Sequence, residues 1–330
     1  MRRREFIALV AIAGISSLRS AEAQQSQKMR RVGMLLALDE SDPMGKSRVK
    51  AFRLGMRDLG WIEGRNVQID SRFVGTNPQL INDQVLQLIR LAPDVIVANS
   101  SPVTAALTRA RSAIPIVFVV VNDPVGQGFI SSLAHPGGNI TGFSFIEPAI
   151  VGKWVNLLGD VKPDLSRAVL MFNPDTASYY DAYLQSLKAS WPRTSAAVEA
   201  VHVRSVAEID SAIANLGREP GSALIAAADP FISATRGQIA KAADMHRVPI
   251  ISPYRQFTIE GSLMSYGPNG DDIFRRSASY VDRIFRGEPP GNLPAQSPVK
   301  FELVVNLKTA KALGLSISDS FLLLADEVIE

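Results

Sequence analysis

Asp94-Val-Ile-Val-Ala-Asn-Ser-Ser-Pro102 is a short apolar run that ends in small polar residues and a proline. Such a run is typical of a strand that is buried on both faces of a parallel sheet. A similar run, Ser222-Ala-Leu-Ile-Ala-Ala-Ala-Asp-Pro230, occurs in the second half of the chain. Each is followed, after a predicted helix, by another matching segment, Ile114–Val117 and Val248–Ile251. The matches indicate a duplicated α/β unit, with chance similarity of apolar strands as the competing interpretation.

The rest of the chain alternates short apolar runs with amphipathic segments, in which apolar residues such as Val49, Phe52 and Met56 recur at helical spacing. This order predicts the α/β class, with two lobes that each hold a parallel sheet covered by helices on both faces. Predicted helices include Ser178–Trp191 and Ile232–Met245. We expect strands at Val32–Leu38, Val67–Phe73, Asp94–Ala98, Ile116–Val121, Ala168–Phe172, Ala197–His202, Ala223–Ala227 and Pro249–Ile251.

No long linker separates the two halves of the sequence. Three short segments are candidate crossings between the lobes, at His135–Phe143, Leu263–Pro268 and Pro289–Pro298. Several short crossings predict a hinged pair of lobes rather than two independent domains on a string.

Composition excludes several classes of function. The chain has 330 residues, of which 46% are hydrophobic and 20% charged, as expected for a globular protein with room for two domains. The net charge is only +3, with no run of Lys and Arg in the body of the chain, so we expect no nucleic-acid partner. The absence of cysteine excludes disulfides, thiol catalysis, thiolate metal ligands and a lipidated N-terminal Cys.

The N-terminus has the form of an export signal. Arg2, Arg3 and Arg4 precede an apolar stretch from Phe6 to Leu18, and Ala21-Glu-Ala23 follows as a cleavage site. We therefore expect residues 1–23 to be a cleaved signal peptide and the mature protein to lie in the periplasm without a lipid anchor. The R-R-x-F pattern favours the twin-arginine route over the Sec route, and an ordinary amphipathic helix is the alternative.

Polar side chains follow most of the predicted strands, where ligands bind in open parallel sheets. Ser101 is placed to be an N-cap with Pro102 at the first helical position, so the helix start could hold a carboxylate. Asp123 and Asp229 could meet an ammonium group, although such residues also serve only as helix caps. The rings of Tyr179 and Tyr254 could sandwich a flat ligand or pack between helix and sheet. The predicted ligand-binding residues are Asp39, Ser41, Ser100, Ser101, Thr104, Asn122, Asp123, Asn173, Tyr179, Asp229 and Tyr254.

The sequence lacks the motifs of common catalytic sites. The three histidines have no metal-ligand spacing, and neither a G-x-S-x-G elbow nor a phosphate-binding P-loop is present. Gly126-Gln-Gly128 is the nearest dinucleotide signal, but Ser131 stands where the third glycine belongs. We therefore expect no catalysis, no metal and no cofactor.

Two kinds of function remain open at this point. An exported α/β enzyme that uses a nucleotide cofactor would need a glycine-rich loop after the first strand, but Leu38–Gly45 has one Gly and two Asp, which repel pyrophosphate. A ligand-sensing protein is the second possibility, and its residues would not differ from those of a binding protein with another role.

Seven segments together resemble a known family, the type I periplasmic solute-binding proteins of ABC importers, and within them the tryptophan/tyrosine-type substrate-binding proteins. The resemblance covers Arg31 to Glu330. The segments that carry it are Leu59–Val67, Pro93–Ala98, Ile114–Phe118, Asp123–Gly126, His135–Gly142, Leu263–Pro268 and Phe301–Gly314.

This resemblance implies two Rossmann-like lobes joined by a three-crossover hinge, with the ligand between them. It implies that residues 24–143 plus 266–292 form the first lobe and residues 144–265 plus 293–330 the second. The implied ligand is a small organic solute, either an amino acid or another carboxylate, and aromatic amino acids are included. The implied partner is an ABC permease in the inner membrane, and the implied state is a monomer that catalyses nothing.

Overall fold

The computed structural model describes residues 29–330, except residue 178 and residues 189–195. The predicted signal peptide, residues 1–23, lies outside the described residues, as do the first residue and the last three of the predicted helix Ser178–Trp191. Two sheets with helices on both faces form two lobes, so the predicted α/β class and two-lobed fold are confirmed.

The first lobe holds a sheet of five strands in the order β2-β1-β3-β4-β5, and every neighbouring pair is parallel. Buried aliphatic runs form its central strands because both faces are covered by helices. The elements are β1 Arg30–Leu36, α1 Pro43–Asp58, β2 Val67–Phe73, α2 Pro78–Arg90, β3 Val95–Asn99, α3 Ser101–Arg109, β4 Ile116–Val121 and β5 Ile140–Ser144.

The second lobe holds a sheet of seven strands in the order β12-β11-β10-β9-β8-β6-β7, in which only β10 and β11 pair antiparallel. The elements up to β9 are α4 Ile150–Val161, β6 Arg167–Phe172, α5 Pro174–Ala177, α6 Tyr179–Lys188, β7 Ala197–His202, α7 Val206–Leu216, β8 Ser222–Ala226, α8 Pro230–Ala234, α9 Arg236–His246 and β9 Ile250–Ser252. The remaining ones are α10 Arg255–Ile259, β10 Met264–Pro268, β11 Phe301–Asn306, α12 Leu307–Leu313, α13 Asp319–Leu322 and β12 Glu327–Ile329.

One helix from late in the chain returns to the first lobe. This helix, α11 (Gly270–Phe285), packs along α1 with Ile273, Phe274 and Ala278 buried. The two backbones approach closely at Gly55, where a Cβ would lie only 2.3 Å from the carbonyl oxygen of Arg275. Only glycine permits this approach, because the space beside it is filled by main chain rather than by a flexible side chain.

Two predicted lobe boundaries differ from the structure. Tyr266 to Pro268 were expected in the first lobe, but they belong to β10, which lies between β9 and β11 in the second sheet. Leu293 to Gln296 were expected in the second lobe, but they run beside β5, where Ser144 N donates to Gln296 O (2.9 Å). Main-chain pairing therefore holds both segments on the side opposite to the expected one.

Two predicted elements also differ from the structure. The expected crossing at Ile140–Phe143 forms β5 of the first sheet, because its apolar run pairs with β4. The expected helix Ile232–Met245 is divided at Thr235, whose φ of −100° and ψ of 11° separate α8 from α9. Among the described residues, no helix is both long enough and apolar enough to span a bilayer.

Candidate functional site

The carboxyl ends of the strands of both lobes face each other across a cleft. In this structure the cleft is closed to a cavity of about 20 Å³, which is roughly the room that one water molecule needs. Residues of the first lobe that line the cavity are Ala37, Leu38, Met44, Arg48, Asn99, Ser100, Ser101, Val120 and Asn122. Residues of the second lobe that line it are Tyr179, Ala228, Pro230, Ser233 and Tyr254.

Several polar atoms of this lining are buried without a hydrogen-bond partner among the described residues. They are Nε of Arg48, Oγ of Ser100, Oδ1 of Asn122 and Oγ of Ser233. Nearly all buried polar groups in folded proteins are paired, since an unpaired one costs roughly 1–3 kcal/mol. A concentration of four such atoms in one small cavity is therefore typical of a site built for a polar ligand.

The backbone at the cavity is strained. Ser100, Val120 and Asp123 have φ angles of +78°, +57° and +39°, which residues other than glycine rarely adopt. At Val120 the pairing of β4 with β5 shifts register, which marks a local bulge. Each such residue costs on the order of 1–3 kcal/mol, and strain of this kind concentrates at functional sites.

Polar contacts join the two lobes at one side of the cavity. Asn122 Nδ2 of the first lobe donates to the hydroxyl of Tyr179 (2.5 Å) and to the carbonyl of Ala228 (3.1 Å) in the second. The Tyr179 hydroxyl in turn donates to the Ala228 carbonyl (3.0 Å). Burial raises the pKa of Tyr179 well above its usual value, so the hydroxyl keeps its proton and remains a donor.

A buried ion pair joins the lobes at a second place. Arg236 at the start of α9 binds both carboxylate oxygens of Asp42, with N–O distances of 2.7 and 3.2 Å. Asp42 belongs to the first lobe, where it also caps α1 by accepting from Met44 N (2.9 Å). Arg236 contacts Glu260 as well, at 2.8 Å. The Asp42 and Arg236 side chains are only 6% and 11% exposed, so this interlobe ion pair is shielded from water.

Sequence reasoning missed the polar cavity residues Asn99 and Ser233 and the charged one, Arg48 on α1. It is 3% exposed, and its guanidinium lies over the rings of Tyr254 (5.5 Å) and Phe274 (5.8 Å). A signal for it exists in the sequence, because Arg48 is four residues before Phe52 and eight before Met56. A cation therefore occupies the buried face of an amphipathic helix.

Five of the eleven predicted site residues line the cavity, namely Ser100, Ser101, Asn122, Tyr179 and Tyr254. One detail of this prediction is wrong. The N-cap of α3 is Ser100, whose side chain makes no capping bond, and the helix already begins at Ser101. The helix therefore begins one residue earlier than predicted, after Ser100 with its positive φ. The Ser101 hydroxyl accepts a hydrogen bond from Gln127 Nε2 (2.9 Å) instead of capping the helix.

The structure places the other six predicted residues outside the lining. Asp39 and Ser41 are exposed and bond to each other, and Thr104 donates to the Ser100 carbonyl inside α3. Asp123 accepts from Gly126 N, and Asn173 accepts from Asp175 N. These five side chains stabilise local turns and helix starts.

Asp229 is the sixth of these residues, and it is fully buried within the second lobe. Its carboxylate accepts from Asn173 N (2.6 Å), the Thr176 hydroxyl (2.6 Å) and Phe231 N (2.9 Å). Burial raises its pKa to about 6 despite these hydrogen bonds. With both oxygens engaged, Asp229 ties the loops after β6 and β8 together and offers nothing to an ammonium group in the cleft.

No group of three or more His, Asp or Glu side chains that could hold a metal ion occurs within the described ranges. The fold and the cavity thus define a class of two-lobed α/β proteins with a polar site enclosed between the lobes. A family model described as ABC transporter substrate binding protein matches residues 37–329, and the chain belongs to this family. The resemblance inferred from the sequence is confirmed.

Curated and solved relatives agree with this assignment. The tyrosine-binding protein of Clostridioides difficile strain R20291 is 23% identical over 290 residues, which cover 88% of this chain and 82% of the relative. A conserved domain protein from Vibrio cholerae has a TM-score of 0.82 and 25% identity, over 91% of this chain and all of the other. A Streptococcus pneumonia ABC domain in complex with L-Trp also has a TM-score of 0.82, with 22% identity over 91% and 99% of the two chains.

A third solved structure shares the fold with a lower score. A ligand-free, open substrate-binding protein from Clostridium difficile covers the same share of this chain, 91%, but has a TM-score of only 0.67 at 21% identity.

Proposed function

We propose that this chain is the exported, periplasmic substrate-binding component of an ABC importer, and that it binds an amino acid or a related small carboxylate between its lobes. Aromatic amino acids are the leading candidates, since relatives are named for tyrosine or solved with L-Trp. The observation that carries the proposal is the interlobe cavity, where buried polar atoms of Arg48, Ser100 and Asn122 lack partners within the described chain. At about 20 Å³ the cavity holds one water molecule, so the lobes must move apart to admit an amino acid.

Aromatic side chains of the second lobe support a flat ligand. Tyr254 lines the cavity and stacks on Phe145, with ring centroids 5.1 Å apart and planes 19° apart. Tyr179, the first residue of α6, also lines the cavity and packs against Tyr180 and Tyr183. An aromatic ligand could insert between such rings and gain both apolar burial and stacking when the lobes close on it.

The contacts between the lobes support a function in which closure is the signal. The Asp42–Arg236 ion pair and the Asn122–Tyr179 hydrogen bond each join residues of different lobes, so separation of the lobes would break both. A ligand that contacts both lobes favours the closed form by its differential affinity for the two states. The partner that reads the closed form is, in this proposal, an ABC permease in the inner membrane, and the binding protein acts as a monomer.

The geometry gives little support to a nucleotide-dependent enzyme. In dinucleotide-binding folds the pyrophosphate sits at the start of the helix after the first strand. Here Asp42 caps that helix and is paired with Arg236, so a carboxylate already occupies the helix start. Titration with NAD(P)H is expected to show no tight binding.

The test is native mass spectrometry of the purified mature protein, followed by thermal unfolding in the presence of each amino acid and of small organic acids. We expect a retained or stabilising ligand, because a ligand at 100 times its Kd raises the free energy of unfolding by about 2.7 kcal/mol. The proposal fails if nothing is retained and no compound shifts the Tm.

A pair of variants locates the site. Asn122→Ala removes both the unpaired Oδ1 and the contact with Tyr179, so we expect at least about tenfold weaker binding, which is 1.4 kcal/mol. Asn215→Ala, on an exposed position of α7, is the matched control and is expected to bind normally. Equal affinities for the two variants would place the ligand elsewhere. Uptake into vesicles that contain the cognate permease then separates a transport protein from a sensor.

A further inference from the structure

We propose that Arg48 recognises the carboxylate of the ligand, so that the site selects compounds with a free carboxylate over the corresponding amides and amines. This inference rests on the function proposed above and assigns the specificity of the same cavity to one residue. The inference is based on a buried guanidinium that has no opposite charge beside it. Other polar atoms of the same cavity also lack hydrogen-bond partners.

Arg48 has no carboxylate within 4.0 Å in the described part of the chain, whereas the other buried arginine of the cleft has two. Arg236 is bound by Asp42 and Glu260, with N–O distances of 2.7 and 2.8 Å. Asp42 precedes Arg48 on the same helix, but its carboxylate is committed to Arg236 and to the cap of α1. A cation that is removed from water needs an opposite charge, and the protein supplies one to Arg236 alone.

Acidic groups near Arg48 do not neutralise it. No Asp or Glu lines the interlobe cavity. A neighbouring pocket of about 340 Å³, which also contains Arg48, is lined by Asp271 and Glu302. Asp271 is bound by the Ser47 hydroxyl, and Glu302 is bound by Asn269 and Lys300. Among the described residues, the charge of Arg48 is met by the faces of Tyr254 and Phe274 and by the Tyr254 hydroxyl, neutral groups that stabilise a cation less than a carboxylate does.

The surroundings hold the guanidinium in place. A Cβ at Gly270 would lie 3.1 Å from one terminal nitrogen of Arg48 and 3.2 Å from Nε, so glycine leaves the space that the fork occupies. A guanidinium fixed between two rings and a glycine is preorganised for the planar, two-pronged geometry of a carboxylate.

The neighbouring unpaired atoms complement an amino acid. The Ser100 hydroxyl can donate a hydrogen bond to a carboxylate oxygen beside the guanidinium, and Asn122 Oδ1 can accept one from an ammonium group. The cavity thus offers a cation, a neutral donor and a neutral acceptor, which are the groups needed for the main-chain end of an amino acid.

The experiment compares Arg48→Gln, Arg48→Lys and the control Arg57→Gln, which alters an exposed arginine of the same helix. Calorimetric titrations use L-tyrosine, tyrosinamide and tyramine, and the tryptophan equivalents. For the wild type we expect the free acid to bind at least about 100-fold more tightly than the amide and the amine. Arg48→Gln should abolish this difference by weakening the acid about 100-fold, Arg48→Lys should retain part of it, and Arg57→Gln should behave as the wild type.

Thermal unfolding without ligand provides a second readout that does not depend on the ligand's identity. If Arg48 were only a structural residue, Arg48→Gln would lower the Tm, whereas loss of an uncompensated buried charge should leave the Tm unchanged or raise it. The inference is overturned by acid binding that survives Arg48→Gln, by equal affinity of the wild type for acid and amide, or by a lowered Tm of ligand-free Arg48→Gln. A wild type that binds no compound with a carboxylate overturns the proposed function as well.

Discussion

Replacing Asp42 by Asn tests how strongly the interlobe ion pair holds the cleft closed. Asp42 and Arg236 come from different lobes and contact each other through two N–O distances of 2.7 and 3.2 Å. Asparagine is as good an N-cap as aspartate, so Asp42→Asn keeps the cap on α1 while it removes the charge. The substitution therefore acts on closure rather than on the stability of the helix.

The size of the effect follows from burial and from the contacts that remain. A buried ion pair that loses one partner costs about 3–5 kcal/mol when the other charge is left unpaired. Arg236 keeps Glu260 and the carbonyl of Ser233, so the loss is smaller, about 2 kcal/mol, comparable to one hydrogen bond to a charged group. Since only the closed form contains the pair, the apparent Kd should rise about 30-fold.

Two measurements check this expectation. Calorimetry gives the affinity for the ligand retained by the purified protein, and small-angle scattering gives the radius of gyration, which should be larger for Asp42→Asn at equal ligand concentration. The control is Asp58→Asn, which removes an exposed ion pair with Arg275 inside the first lobe and should change the affinity less than about twofold. Unchanged affinity and radius for Asp42→Asn, or an equal effect of Asp58→Asn, would refute the reasoning.

Two further predictions concern stability. The pKa of Asp229 is about 6 in the folded state and about 4 when unfolded, so its contribution to stability is complete below pH 4 and falls as the pH rises through 6. From pH 4 to 7.5 in urea titrations, the unfolding free energy of the wild type should fall by about 2–2.5 kcal/mol relative to that of Asp229→Asn, and a constant difference would contradict the assignment. Gly55→Ala should cost about 1–3 kcal/mol in thermal unfolding because its Cβ meets the main chain of α11, whereas Gly152→Ala, which meets open space in α4, should cost nothing. Equal Tm values for these two variants would show that the helices separate freely.

Much of the fold could be predicted from the sequence because buried parallel strands are continuous apolar runs. Val67–Phe73 and Ile116–Val121 have the predicted bounds, and the neighbouring strands differ by one or two residues at their ends. The sequence predicts crossings between the lobes where β5 and β10 lie. A short apolar segment beside glycines does not indicate which of the two sheets it joins. Pairing partners that are distant in sequence decide this, and periodicity does not contain them.

The candidate site could be predicted only in part, for a related reason. The end of a strand identifies a loop, but not the direction in which each of its side chains points. Asn122 points into the cavity while Asp123 caps its own turn, and Ser100 rather than Ser101 takes the N-cap. Asp229 lies at a predicted strand end, yet it turns inward to the hydrogen-bond donors of the loop after β6. Strand ends do not indicate Arg48, because it lies within a helix.

The return of α11 to the first lobe has a consequence for synthesis of the chain. Trp61 bonds to Asp282, 221 residues later, and Asp58 bonds to Arg275, 217 residues later. The ribosome therefore releases the whole sheet of the first lobe, and most of the second lobe, before the helix that covers α1 exists. During that interval the apolar face of α1 is exposed, so the nascent chain cannot complete its lobes one after the other and depends on protection from aggregation until its last 60 or so residues emerge.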